Sequence, residues 1–165
     1  MVMRYQMAGL LFASFVMLTS QALAQNSHDW RNCHRLDMQS AEPGAARGDA
    51  CDQYWVGYMY ATGTGLHQDF TEAVRWFRLA AGQGNARAEY WLGSMYEDGD
   101  GVQQDWAEAV RWYRLAAEQG YDEAQYKLGE LYLLGAGVPQ DDTESVRWYR
   151  LAAEQGHHLA STMLD

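Results

Sequence analysis

The chain has 165 residues and carries 22 acidic against 12 basic side chains, a formal charge of −10 with histidine neutral. A surface of that sign repels nucleic acid and anionic lipid headgroups, which excludes both as partners and suits one that is neutral or basic. The length is enough for one domain with a continuous core.

Residues 1–24 have the layout of a cleaved secretory leader. Arg4 charges the start, an apolar run extends from Met7 to Leu18, and Ala22-Leu23-Ala24 places small residues at both cleavage-determining positions. The run is about 12 residues, against the ~20 needed to span a bilayer, so a membrane anchor is the weaker alternative. Processing after Ala24 is expected, which makes the mature chain periplasmic or secreted with no membrane insertion. No cysteine follows the apolar run, so a lipid anchor is not expected.

Residues 25–48 precede the repeats and read as an N-terminal capping segment, with a helix expected over 28–39. Its Cys33 and the later Cys51 are the two cysteines of the chain. In an oxidising compartment an isolated pair in a short secreted chain predicts a disulfide. The alternative is a metal site completed by His28 and His34, which lacks a fourth ligand at a recognisable spacing. No metal and no cofactor is expected.

Residues 49–156 are one 36-residue unit written three times: 49–84, 85–120 and 121–156, with 17 of 36 positions identical in all copies. Self-similarity at this period predicts a stacked solenoid in which each unit buries its apolar face against its neighbours. In the middle copy the spacing of Ala88, Leu92 and Met95 predicts a helix A from about Ala86 to Glu97. A glycine loop follows, with Gly99 and Gly101 free to adopt backbone angles that other residues resist. Helix B opens at Asp105, with Glu108 three residues on in a capping-box-like arrangement that recurs as Asp69/Glu72 and Asp141/Glu144. Glycine C-caps are expected at Gly84, Gly120 and Gly156. Gly57, Gly93 and Gly129 interrupt helix A in every copy, which predicts a second backbone passing close by, with Ala80-Ala81 and its counterparts as the facing surface. Residues 157–165 read as the start of a fourth helix A, a partial C-terminal cap.

The pattern A-x-x-Y-x-LG-x-x-Y-x-x-G-x-GV-x-QD…A-x-RWY-x-x-AA-x-QG resembles the Sel-one-like repeat, a relative of the tetratricopeptide repeat. Residues 85–156 match it almost throughout, whereas the first copy departs at Asp52 and Val56. The resemblance implies an all-α, right-handed α/α solenoid that acts as an adaptor or scaffold, often in bacterial envelopes, and it carries over no catalytic residue. Cysteine-rich members of that family have been linked to β-lactam binding or hydrolysis, so a β-lactamase-like enzyme is the alternative. Against it, the sequence has no Ser-x-x-Lys, Lys-Thr-Gly, Gly-x-Ser-x-Gly or His-Glu-x-x-His. The expected function is non-enzymatic.

Positions identical in all copies are most simply architectural, and those that change are free to read a partner. Each invariant arginine pair, Arg75/Arg78 and its counterparts, follows a glutamate by three residues, which predicts local ion pairs. The changing stripe on helix A reads Cys51, Trp55, Tyr58; Arg87, Trp91, Ser94; and Glu123, Lys127, Glu130. In tetratricopeptide-like solenoids helix A lines the concave side, so Trp55, Tyr58, Arg87, Trp91, Ser94, Lys127 and Glu130 are the expected contacts to a peptide or protein. Packing of Trp55 and Trp91 between repeats is the alternative. Leu159, Met163 and Leu164 cover the last repeat only briefly, so self-association through the C-terminal repeat is a further expectation.

Overall fold

The computed structural model describes residues 30–33 and 38–164. The expected leader, His28 and His34 lie outside the described residues. Among the described residues a 3-10 turn, Trp30–Asn32, precedes eight α-helices and no strand. The helices are α1 Met38–Ala46, α2 Ala50–Thr62, α3 Phe70–Ala81, α4 Ala86–Asp98, α5 Trp106–Glu118, α6 Asp122–Leu134, α7 Asp142–Glu154 and α8 His158–Thr162. Extensive packing joins each helix to its neighbours in the chain, as a solenoid requires. Helices α2, α4 and α6 are the three A helices, and α3, α5 and α7 the three B helices.

Each B helix starts where its acidic cap stands. The carboxylates of Asp69, Asp105 and Asp141 accept from the backbone N–H of Glu72, Glu108 and Glu144, each at 3.1 Å. Each A helix ends on a left-handed glycine, Gly63, Gly99 or Gly135. The B helices end one or more residues before the expected C-cap, on Gly82, Gln119 and Gln155 in right-handed conformation. Gly84, Gly120 and Gly156 follow with φ of 79°, 82° and 92° and turn the chain into the next helix A. The next N–H then closes back onto Ala80, Ala116 or Ala152.

The glycines inside helix A face something other than the expected backbone. A Cβ on Gly57, Gly93 or Gly129 would come within 2.8, 2.6 and 2.6 Å of the ring of Phe77, Tyr113 or Tyr149. Those rings are fully buried at the centre of each repeat, and the missing side chain is what admits them. Ala80-Ala81 and Ala116-Ala117 are buried too, with Ala152 in the last repeat, but they are not what the glycines make room for.

Invariant polar residues also prove architectural. Arg75, Arg111 and Arg147 pair with Glu72, Glu108 and Glu144 at 2.9–3.0 Å, as the spacing predicts. The same guanidinium groups lie 4.3–4.8 Å from the centres of the Trp76, Trp112 and Trp148 rings. In the first two repeats the second arginine of the pair reaches into the following repeat: Arg78 donates to the Tyr96 hydroxyl at 2.9 Å, and Arg114 to Tyr132 at 2.6 Å.

The N-terminal segment departs from expectation. Within 28–39, Trp30–Asn32 is a three-residue 3-10 turn and Met38 opens α1, the helix that packs on α2 and runs on to Ala46. Glu42-Pro43-Gly44 obscures that helix in the sequence, because proline and glycine normally end one. Here Gly44 is needed, since a Cβ there would collide with the Asp52 carboxylate. Cys33 and Cys51 form a disulfide, which ties the turn to the first turn of α2 and removes both thiols from any metal site.

Candidate binding face

The changing stripe lies along the row α2, α4, α6, and the structure divides it. Trp55 is 8% exposed and belongs to the core, 5.1 Å from the Tyr54 ring and 5.5 Å from Tyr58. Tyr58 and Trp91 are half-buried and meet edge to face at 5.5 Å, while Trp91 stacks on Phe77 at 5.7 Å and 13°. This aromatic row crosses from the first repeat into the second with one side toward solvent. Ser94 donates to Asp98 at 3.3 Å within its own helix.

Further along, Lys127 bridges two repeats. Its ammonium stands 3.4 Å from Glu97 on α4 and 3.3 Å from Glu130 on α6. Burial opposes its charge, but Glu97 and Glu130 outweigh that cost and hold the lysine above its ordinary range. Glu97 also accepts from the Tyr113 hydroxyl at 2.6 Å, and Glu130 from Tyr126 at 2.9 Å. Lys127 and Glu130 therefore belong to a linked network already paired within the chain.

Arg87 stands at the first turn of α4 and reaches the N-terminal segment. Its Nη1 donates to the Cys33 carbonyl at 3.2 Å, and its guanidinium lies 5.9 Å from the Trp30 ring centre and 6.0 Å from that of Tyr54. Trp30 meets Tyr121 edge to face at 5.2 Å, and Tyr121 meets Tyr90 at 5.3 Å. Arg31 donates to the Gln119 carbonyl at 3.0 Å, across 88 residues of sequence. The segment 30–33 thus runs along the N-terminal ends of the A helices, from the third repeat back to the first.

Two carboxyls on these helices are perturbed. Burial pushes Glu89 up to about 7, against the hydrogen bond from Gln119 that favours its charge. Burial, reinforced by Asp122, pushes Glu123 up to about 7 as well. Tyr121 marked this region in the sequence: it stands at the cap position where the other copies have Asp49 and Asn85, and it makes no capping bond.

The Sel1 repeat model matches residues 52–85, 86–121 and 122–157. The chain belongs to the Sel1 repeat family. Proteins built from this repeat are generally protein-interaction scaffolds without catalysis. A Sel1 repeat protein from Oxalobacter formigenes is 40% identical, with a TM-score of 0.71 over 78% of this chain and 96% of its own. The c5321 protein, a protective antigen of uropathogenic Escherichia coli strains with an SLR fold, is 45% identical with a TM-score of 0.73. That likeness covers 76% of this chain but 27% of the larger antigen. Cysteine-rich protein B of Helicobacter pylori shares the fold at 18% identity, with a TM-score of 0.65 over 78% and 95% of the two chains. Comparison with curated proteins gave no match.

Proposed function

We propose that this Sel1 repeat protein is an extracytoplasmic scaffold that binds another protein or peptide through its helix-A face. The observation that carries the reading is the contrast between the two kinds of position. Most residues common to all copies are taken up in caps, turns, ion pairs and core, with Leu79 and Leu115 left exposed on the B helices, whereas Tyr58 and Trp91 stay half-exposed beside Arg87 on a surface that differs from copy to copy. Aromatic and arginine side chains of this kind dominate binding energies at protein interfaces. The disulfide supports an oxidising compartment, in agreement with the expected leader. The acidic charge supports a partner that is neither nucleic acid nor an anionic membrane, and among the described residues no helix is long and apolar enough to cross one.

The test is capture by cross-linking from the native envelope, with wild type beside Tyr58→Ala/Trp91→Ala. Trp55 is left intact because its removal would hollow the core at a cost of about 3–5 kcal/mol. A protein held by wild type and lost from the variant supports the reading; identical recovery by both would remove this face as the site. Turnover of a chromogenic β-lactam by the purified chain would instead favour the enzyme alternative.

Self-association is the second part of the proposal. Leu134 at the end of α6 is 73% exposed, and Val146, Leu159, Met163 and Leu164 are also exposed around the last repeat. Exposed apolar side chains gathered on the last repeat of a solenoid support pairing with a second copy there. Light scattering across a concentration series should show a dimer that Leu134→Glu/Leu159→Glu abolishes; a strict monomer at every concentration sinks the idea.

A further inference from the structure

We propose that the edge of the helix-A face built by Arg87, Tyr121 and the Gln119 carbonyl recognises a peptide bearing an aromatic side chain followed by a basic one, and that Trp30-Arg31 of the chain itself occupies this site as a tethered ligand. The inference rests on the reading of the helix-A face as the binding face, and names what that face accepts.

Its first support is a stability rule broken at one residue. Asp49 and Asn85 open α2 and α4 with a side-chain cap, but Tyr121 opens α6 with none. An uncapped N-terminus gives up a bond that every other full-length repeat helix makes, and such departures from local consistency cluster where a surface is used. The ring placed there is the one that Trp30 meets edge to face.

The second support is the shape of the contact. Trp30 meets the Tyr121 ring edge to face and has the Arg87 guanidinium 5.9 Å from its ring centre, so one partner is an aromatic ring and the other a cation. Arg31 delivers its guanidinium to a main-chain carbonyl, over Gly120, where a Cβ would approach its Nη2 to 3.4 Å. Next to the seat, Glu123 keeps a buried Oε2 without a hydrogen-bond partner. Segment and seat meet through side chains and through the Gln119 and Cys33 carbonyls; the covalent hold is at Cys33–Cys51, two residues past Arg31.

A ligand on so short a tether has an effective concentration on the order of millimolar, so a free peptide competes with it at a large disadvantage. The tether therefore sets a threshold: only partners with higher affinity, or several linked copies of the motif, displace it.

The probe is a fluorescein-labelled peptide of residues 28–33 with Cys33→Ser, titrated by anisotropy against the full mature chain. Trp30→Ala/Arg31→Ala, with its disulfide and helical circular dichroism intact, should bind it at least tenfold more tightly than wild type does. Adding Tyr121→Asn should weaken that binding at least tenfold while restoring the cap found at Asn85, so lost binding will not mean lost fold. Arg31→Ala alone repeats the comparison if the double variant is misfolded. Equal affinity for wild type and variant, or no binding to a folded variant, overturns self-occupation. The Tyr58/Trp91 capture experiment would still stand in that case, because its readout does not involve this peptide.

Discussion

Gln83 donates to Gln53, and Gln155 to Gln125, each across thirty residues; in the middle repeat Gln119 donates at 2.7 Å to Glu89. That carboxyl is 4% exposed, and burial pushes it from 4.5 up to about 7. Between those two values the folded chain keeps a proton that the unfolded chain has released, so stability falls as the pH rises through the window. Glu89→Gln should remove the loss: urea midpoints of variant and wild type should agree near pH 4.5, and at pH 8 the variant should be more stable by about 1–3 kcal/mol. A gap of equal size at both pH values would assign the effect to packing. A second contrast involves the central rings. Tyr113 donates to Glu97, whereas the hydroxyl of Tyr149, a residue 2% exposed, is buried with no partner, since Leu133 occupies the position of Glu97. Thermal melts should find Tyr149→Phe neutral or stabilising by about 1 kcal/mol and Tyr113→Phe destabilising by a similar amount.

At the level of elements, α1 docks on α2 by a matched exchange. The inner repeats set Ala80 near Ala88 and Ala116 near Ala124 in sequence register, all fully buried; the first interface has Gly44 and Asp52 at those positions. The volume lost at one residue is taken up by the carboxylate at the other. Gly44→Ala alone should clash and cost about 1–3 kcal/mol, and Asp52→Ala alone should leave a void. Together they recreate the inner pattern, so a double-mutant cycle in urea should show favourable coupling of at least about 1 kcal/mol. The departure of Asp52 from the repeat pattern was visible in the sequence; its complement was not, because Pro43-Gly44 masks α1 as a loop. The repeat helices themselves were legible, since caps, glycines and apolar spacing recur at a period of 36 and all agree. Within the stripe, spacing located Tyr58 and Trp91 but could not separate them from Trp55, because burial of a ring depends on the neighbouring helix. Tyr121 stands out of pattern at its cap position, but its pairing with Trp30-Arg31 was illegible for a plainer reason: Arg31 and Gln119 are 88 residues apart, and no local period connects them.

For the molecule as a whole, the disulfide and the turn it anchors act against the tendency of a solenoid to unfold from its ends. Each repeat is stabilised mainly by its neighbours, so holding the first one down stabilises those behind it. Cys33→Ser/Cys51→Ser should lower the unfolding free energy by about 3 kcal/mol in denaturant titration, the amount expected for closing a loop of this size. Loss confined to the first repeat, with unchanged hydrogen exchange in α6 and α7, would contradict that coupling. The same bond has a consequence in time. A chain that enters an oxidising compartment N-terminus first exposes both cysteines before any of the second repeat, while Gln119 and Tyr121 arrive only at its boundary with the third. The tether can thus be closed before its berth is built, and the last event in maturation is the arrival of the third repeat beneath a turn already waiting for it.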